Sequence, residues 1–140
     1  MYRHILVGFN GTAGATRALH AALELARPGD GEVRVLCVAE PPPSLPPASG
    51  WELELERLGR DLCLGDWLAR ASAAGSAHGV PVRLAVATGR GGPAIVRYAA
   101  RKHSDLVVVG RRAGGRWWHR CGGTAGHVGR RAPCPVLIVA

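Results

Sequence analysis

Short apolar runs alternate with longer helical patterns along this chain, and that alternation constrains the fold more than any other feature. Five runs have the composition of buried strands: 5–9, 33–38, 81–86, 105–110 and 136–139. Four segments with helical patterns lie between them: 13–27, 51–78, 93–102 and 123–131. Alternation of this kind requires right-handed crossovers, so it predicts an α/β fold, an open doubly wound parallel sheet with helices on both faces.

The segment 51–78 is the longest helical pattern and the least regular. Its candidate core contacts are Leu55, Leu58, Leu62, Leu68 and Ala69. Three glycines interrupt it: Gly59, Gly65 and Gly75. Because glycine disfavours a helix interior, we expect this helix to be kinked or split.

Prolines mark three further positions. The cluster at 41–47 can form neither helix nor ladder and predicts an extended surface loop. Pro81 opens the third strand, which suits a sheet edge because proline donates no ladder hydrogen bond. Pro93 is expected to be the first residue of a helix, and the most apolar run, 105–110, is expected in the centre of the sheet.

Length and composition indicate one soluble domain, residues 1–140. No apolar run approaches the ~20 residues of a membrane span, and the first residues lack the pattern of a secretion signal, so a cytoplasmic location is expected. The four cysteines are Cys37, Cys63, Cys121 and Cys134. They form no C-x-x-C pair, so we expect reduced, mostly buried thiols with neither a zinc site nor a disulfide framework.

The formal net charge of +8 suits a polyanionic partner. Basic residues crowd into 111–131, whereas acidic residues concentrate in 52–66. Nearly all of the basic residues are arginine, and a codon bias would give the same result. The charge alone therefore does not distinguish a polyanionic partner from a codon bias.

A loop rich in glycine and arginine runs from Gly110 to Thr124. Glycine lets backbone N–H groups approach phosphate oxygens, and Thr124 at a helix start adds a donor where the helix dipole favours an anion. The basic residues of the loop are Arg111, Arg112, Arg116 and Arg120. They would either pair with phosphate or remain solvated. In a purely structural interpretation, Gly110 simply ends a strand, and Gly123 and Thr124 simply cap a helix.

Four blocks in order resemble the universal stress protein (UspA-like) family along almost the whole chain: 5–12, 92–95, 105–110 and 132–139. The resemblance implies a five-stranded sheet of order 3-2-1-4-5. It also implies a homodimer paired through the last strand and, in one branch of the family, ATP bound at the loop described above, with Mg²⁺ as the cation that would accompany it.

Transferred to this sequence, the resemblance implies a nucleotide site at Gly8, Phe9, Asn10, Val38, Gly110, Arg112, Ala113, Gly123, Thr124 and Ala125. Two positions depart from the ATP-binding branch, which has glycine in place of Ala113 and aspartate in place of Asn10. The added Cβ at Ala113 disfavours positive φ and narrows the space for a phosphate. Asn10 keeps one acceptor while it loses the charge and gains donors.

The sequence therefore predicts a regulatory protein that binds an adenine nucleotide, ATP first, at the Gly110 to Thr124 loop. The alternative is a nucleotide-free member of the family that acts through protein contacts alone. An enzyme is not expected, because the loop has no paired carboxylates and the chain lacks the motifs G-x-x-x-x-G-K-S/T and G-x-G-x-x-G in a suitable context. Slow ATP hydrolysis with Arg112 stabilising charge remains open.

The sequence also bears on two kinds of partner, a second copy of the chain and a nucleic acid. The terminal strand Val136, Leu137, Ile138 and Val139 has no following helix to cover its edge, which favours a symmetric dimer. Nucleic-acid binding rests only on net charge and on Trp117 and Trp118, so it is not expected. The two tryptophans would either contact a ligand or partner or pack under the loop.

Overall fold

The apolar run His4–Gly8 (β1) lies in the middle of a parallel sheet that extends on both sides of it. The computed structural model describes residues 2–27, 29–39, 50–111 and 123–140. The remaining strands there are Glu32–Ala39 (β2), Val82–Thr88 (β3), Leu106–Gly110 (β4) and Val136–Val139 (β5). Their order is β3-β2-β1-β4-β5, and each neighbouring pair is parallel. The predicted fold class and strand order are confirmed.

Helices cover both faces of this sheet. They are Ala13–Ala26 (α1), Gly50–His78 (α2), Gly91–Arg101 (α3) and Gly123–Arg131 (α4). Alternate β1 side chains point to opposite faces: Ile5 and Val7 pack in one core with α1 and α2, and Leu6 packs in the other with α3 and α4. None of the helices in the described part of the chain is long and apolar enough to cross a membrane.

The α2 helix corrects two predictions about the segment 51–78. It is one continuous helix of 29 residues and is not split into two. Its inward face consists of Leu64, Trp67, Leu68, Ala71 and Ala74. Of the candidate core contacts, Leu68 packs there as predicted, but Leu58, Leu62 and Ala69 are exposed. The side chain of Leu55 lies outside the described residues.

Packing explains why α2 tolerates a glycine near its end. A Cβ on Gly75 would clash with the side chain of Val82 at the start of β3. Helix and strand therefore approach each other more closely at Gly75 than any larger residue allows, and this contact outweighs the low helix propensity of glycine.

Smaller corrections concern α3 and the cysteines. The α3 helix begins at Gly91, two residues before the predicted Pro93, and the carbonyl of Arg90 accepts from the N–H of Ala94 at 3.0 Å. Pro93 still lies in the first turn, where its missing N–H leaves no bond unmade. Among the described thiols, all free, only Cys37 is buried; Cys63 is exposed and Cys134 partly buried. The prediction of mostly buried thiols was wrong for these residues.

The two edges of the sheet fall where the sequence predicts them. The strand β3, which follows Pro81, lies at one edge and β5 lies at the other. The apolar β4 lies inside the sheet between β1 and β5, with its first four residues buried. The proline cluster 41–47 lies outside the described residues.

Candidate functional site

The carboxyl ends of β1, β2 and β4 open into a cavity of about 610 Å³. Strand order reverses between β1 and β4, and open parallel sheets bind ligands beyond the carboxyl ends of their strands at such a reversal. Cavities that hold small organic ligands measure roughly 300–1,000 Å³. This cavity is therefore the candidate functional site.

Most of the residues implied by the family resemblance border this cavity. The lining includes Gly8, Phe9, Asn10, Val38, Gly110, Gly123, Thr124 and Ala125. The remaining two, Arg112 and Ala113, lie outside the described residues, as do Arg116, Trp117, Trp118 and Arg120. The sheet thus brings the turn after β1 and the segments around the 110–124 loop to one place, although they come from opposite halves of the chain.

The turn after β1 is held by a short relay of hydrogen bonds. Asn10 Oδ1 accepts from the Thr12 hydroxyl at 2.7 Å and from the Thr12 N–H at 3.3 Å. Thr12 Oγ1 in turn accepts from the N–H of Ala15 at 3.2 Å, which caps α1. The single hydroxyl proton of Thr12 is used within the turn. Asparagine supplies the same acceptor as aspartate, so its departure from the family pattern leaves the turn intact and changes only the donors and charge at the cavity.

Gly110 has a packing role in addition to its place in the cavity wall. A Cβ on Gly110 would clash with the backbone carbonyl of Gly14 and would lie 2.8 Å from the backbone N of Ala15. The end of β4 and the first turn of α1 therefore touch through their backbones. Gly110 ends a strand and also borders the cavity, so its position is compatible with both interpretations offered by the sequence.

One part of the cavity wall has the character of an anion site. Gly123, Thr124 and Ala125 form the first turn of α4, whose N–H groups have no partner within the helix. Arg111 also borders the cavity, and its own N–H donates to the carbonyl of Val139 at 2.8 Å. None of the described lining residues is an aspartate, glutamate or histidine, so the fixed charge here is positive.

Another part of the cavity wall is apolar. Leu36 and Val38 come from the end of β2, and Ile95 comes from α3. Leu36 and Ile95 belong to the core between the sheet, α3 and α4, and Val38 packs against that core. A ligand that fills the whole cavity therefore needs an apolar part and an anionic part.

The α2 helix forms a wall that the sequence analysis missed. Gly59, Cys63 and Trp67 recur at four-residue spacing and line the cavity together with Leu64. That spacing places them along one side of a helix. The small residues Gly59 and Cys63, one turn apart, are the sequence signal for this wall. The same glycine also predicts a break in the helix, which obscures that signal.

Two side chains of α2 fix this wall to the turn after β1. The indole of Trp67 packs against Gly11. The Arg70 guanidinium donates to the Gly11 carbonyl at 3.2 Å and to the Thr16 hydroxyl at 3.3 Å, and it lies over the ring of Phe9 at 5.5 Å. The position of α2 is thereby coupled to the turn that carries Asn10.

The cysteines near the site differ in ionisation and access. Burial raises the pKa of Cys37 to about 11, and this thiol has no exposed surface. Cys63 is exposed and borders the cavity. Within the described residues, no group of three or more metal-ligating side chains is arranged to hold a metal ion.

Comparison with known proteins agrees with this architecture. The universal stress protein family model matches residues 1–140, so the chain belongs to the universal stress protein family. A universal stress protein of Methanocaldococcus jannaschii is 29% identical over 143 residues, which cover 99% of this chain and 82% of that relative.

Solved structures of the family share the fold at lower identity. Universal stress protein UspA from Lactobacillus plantarum is 20% identical with a TM-score of 0.80, covering 99% of this chain and 98% of the other. A universal stress protein in complex with cAMP is 20% identical with a TM-score of 0.77, covering 99% and 97%. An Arabidopsis thaliana family protein with AMP bound is 19% identical with a TM-score of 0.74, covering 98% and 90%.

Proposed function

We propose that this protein binds an adenine nucleotide in the cavity at the carboxyl ends of β1, β2 and β4. The observation that carries the proposal is one cavity of about 610 Å³ whose wall contains both apolar and cationic residues, located where the strand order reverses. A nucleotide has the matching shape, since an apolar base is joined through a sugar to an anionic phosphate. Structural neighbours with cAMP and with AMP bound support the choice of adenine.

The chemistry of the apolar and cationic parts of the wall sets the orientation of the ligand. The base fits against Val38, Leu36 and Ile95, where only apolar contact is offered. The phosphates fit at the first turn of α4, where N–H groups with no partner inside the helix, the Thr124 hydroxyl and the Arg111 guanidinium supply donors and positive charge. The amide donors of Asn10, whose Oδ1 is used within its own turn, face no carboxylate of the described lining.

ATP is the ligand we put first, with Mg²⁺ bound through its phosphates. The described lining residues contain no carboxylate, so the triphosphate itself would be the main ligand of the cation. With no aspartate, glutamate or histidine among them, these residues also offer no base that could orient a water molecule. The proposed activity is therefore ligand binding with a regulatory output, and the cytoplasmic location remains a prediction.

We further propose that the regulatory output passes through a homodimer formed by β5. This strand occupies an edge of the sheet, and Leu137 and Ile138 are 38% and 44% exposed there. An edge strand offers unpaired backbone groups, and two exposed aliphatic side chains add apolar surface to the same edge.

Isothermal titration with ATP, ADP, AMP and cAMP tests nucleotide binding, with adenosine and GMP as ligand controls. We expect adenosine to bind more weakly than AMP because it lacks the anionic group. Thr124→Val removes one donor and should weaken AMP binding by roughly fivefold, the equivalent of about 1 kcal/mol. Thr88→Val is the matched control, because Thr88 is exposed at the end of β3 and outside the cavity wall.

The proposal fails if no adenine nucleotide binds at millimolar concentration to a folded sample. Equal affinities for AMP and adenosine would refute the orientation alone. A folded protein that binds none of these ligands yet still dimerises would support the alternative, a family member that acts only through protein contacts.

A further inference from the structure

The α2 helix has a second apolar face that points to solvent. Leu58 is 51% exposed and Leu62, one turn further, is 76% exposed. Gly65 and Ala69 continue the same line at spacings of three and four residues, and no atom lies within 4 Å of where a Cβ on Gly65 would be. We call Leu58, Leu62, Gly65 and Ala69 the outer stripe.

The outer stripe is not needed to hold α2 in place. The helix is fixed from its opposite side by Leu64, Leu68 and Ala71, which pack in or against the core. Two exposed leucines on adjacent turns form a continuous apolar surface. Alternating spacings of four and three residues are also the pattern with which one helix packs along another.

Acidic residues border the outer stripe on both sides. At 3.6 residues per turn, Asp61 falls on one side of the stripe and Asp66 on the other, and both are exposed. Asp66 lies 3.7 Å from Arg70, whereas Asp61 forms no ion pair within the described residues. Each border of the outer stripe therefore carries a carboxylate in a chain whose net charge is +8.

We propose that the outer stripe binds a basic amphipathic helix of a partner protein. Leucines of such a helix would cover Leu58 and Leu62, and its flanking lysines or arginines would meet Asp61 and Asp66, as in other helix-in-groove contacts. This proposal does not depend on nucleotide binding.

A second copy of this chain fits the outer stripe less well. Two outer stripes facing each other would bring aspartates against aspartates. The basic helices α3 and α4 turn their larger apolar side chains inward, because Ile95, Tyr98 and Val128 are buried in the core. Neither of these two helices therefore presents a basic surface with exposed leucines.

Fluorescence anisotropy with two synthetic peptides tests this proposal in the full chain. The first probe is an amphipathic 18-residue Leu/Lys helix, and the second has the same leucines with Glu in place of Lys. We expect the Leu/Lys peptide to bind more tightly by at least about tenfold. Its affinity should fall as NaCl is raised from 50 to 500 mM, because the flanking charges are exposed.

Variants assign the binding to the outer stripe. The double variant Leu58→Ser with Leu62→Ser should weaken Leu/Lys peptide binding by about tenfold or more, and Asp61→Lys should weaken it severalfold and reduce its salt dependence. Leu25→Ser is the matched control, because Leu25 is 41% exposed on α1 away from the stripe, and it should bind like wild type. Circular dichroism confirms that each variant is folded.

Three results would each overturn the proposal. The first is equal binding of the Leu/Glu and Leu/Lys peptides, and the second is unchanged affinity in the folded Leu58→Ser, Leu62→Ser double variant. The third is a wild-type dimer that this double variant converts to a monomer in sedimentation, since the stripe would then be covered by a second copy.

Discussion

Replacing Gly110 with alanine should destabilise the protein even when no ligand is present. The new Cβ would meet the carbonyl of Gly14 and the N of Ala15. These are backbone atoms in the first turn of α1, whose position is fixed by the Thr12 cap, so no side-chain rotation can relieve the clash. Overpacking of this kind costs about 1–3 kcal/mol.

The effect can be converted into a shift of the melting temperature. An unfolding entropy of about 2.1 cal/mol/K per residue makes 1 kcal/mol worth roughly 3–4 °C in a chain of this length. Gly110→Ala should therefore melt about 7 °C below wild type for a cost of about 2 kcal/mol. The measurement is thermal and urea unfolding followed by far-UV circular dichroism, without nucleotide.

Gly65→Ala is the control, and it should shift stability in the opposite direction. Gly65 lies inside α2 with no atom within 4 Å of the added Cβ. Alanine is favoured over glycine in a helix interior by up to about 1 kcal/mol, so this variant should melt roughly 3 °C above wild type. A Gly110→Ala protein that melts within 2 °C of wild type would show that the backbone contact between β4 and α1 does not require glycine.

Three further predictions follow from the site, the core and the edge of the sheet. Saturating AMP should slow the alkylation of Cys63, which borders the cavity, as followed by peptide mapping; an unchanged rate would place the nucleotide elsewhere. Because burial raises the pKa of Cys37 from 9.0 to about 11, the folded protein retains a proton between these pH values that the unfolded chain releases. Stability should therefore fall across that window by up to about 2–3 kcal/mol, and Cys37→Ala should show a shallower decline; equal slopes would contradict the assignment. Ile138→Lys on β5 should give a monomer in sedimentation while Val86→Lys on the opposite edge, β3, does not; a dimer in both would exclude pairing through β5.

Strand positions were predictable because each strand is a short run dominated by apolar residues. β4 and β5 contain little besides valine, leucine and isoleucine, and the turns that bound them contain glycine and proline. The resemblance to the family supplied the order, which the structure confirms.

The role of α2 was only partly predictable, because it has apolar residues on two faces. Periodicity identifies a helix but does not say which of two apolar faces meets the sheet. Leu58 and Leu62 were assigned to the core, whereas Leu64 and Trp67 lie nearer to it. Gly75 looked like a helix breaker, although its missing Cβ is what lets α2 approach Val82.

The cavity residues that lie in turns were predictable from the sequence, whereas those on the α2 helix were not. Asn10, Gly110 and Thr124 stand beside the ends of strands, and parallel strands bring such residues to one edge. Cys63 and Trp67 reach the same cavity only because Arg70 and Trp67 fix α2 over the turn at Gly11. No local pattern in the sequence encodes that contact.

Cys63 of α2 borders the cavity, and its neighbour Leu62 is exposed to solvent. One helix therefore contributes to two proposed binding sites, the nucleotide cavity and the outer stripe. Thermodynamic linkage then makes any influence between them mutual. If nucleotide in the cavity raises the affinity of the outer stripe for a partner tenfold, the bound partner raises the affinity of the cavity for its nucleotide by the same factor. The abundance of a partner would then set the nucleotide concentration to which this protein responds.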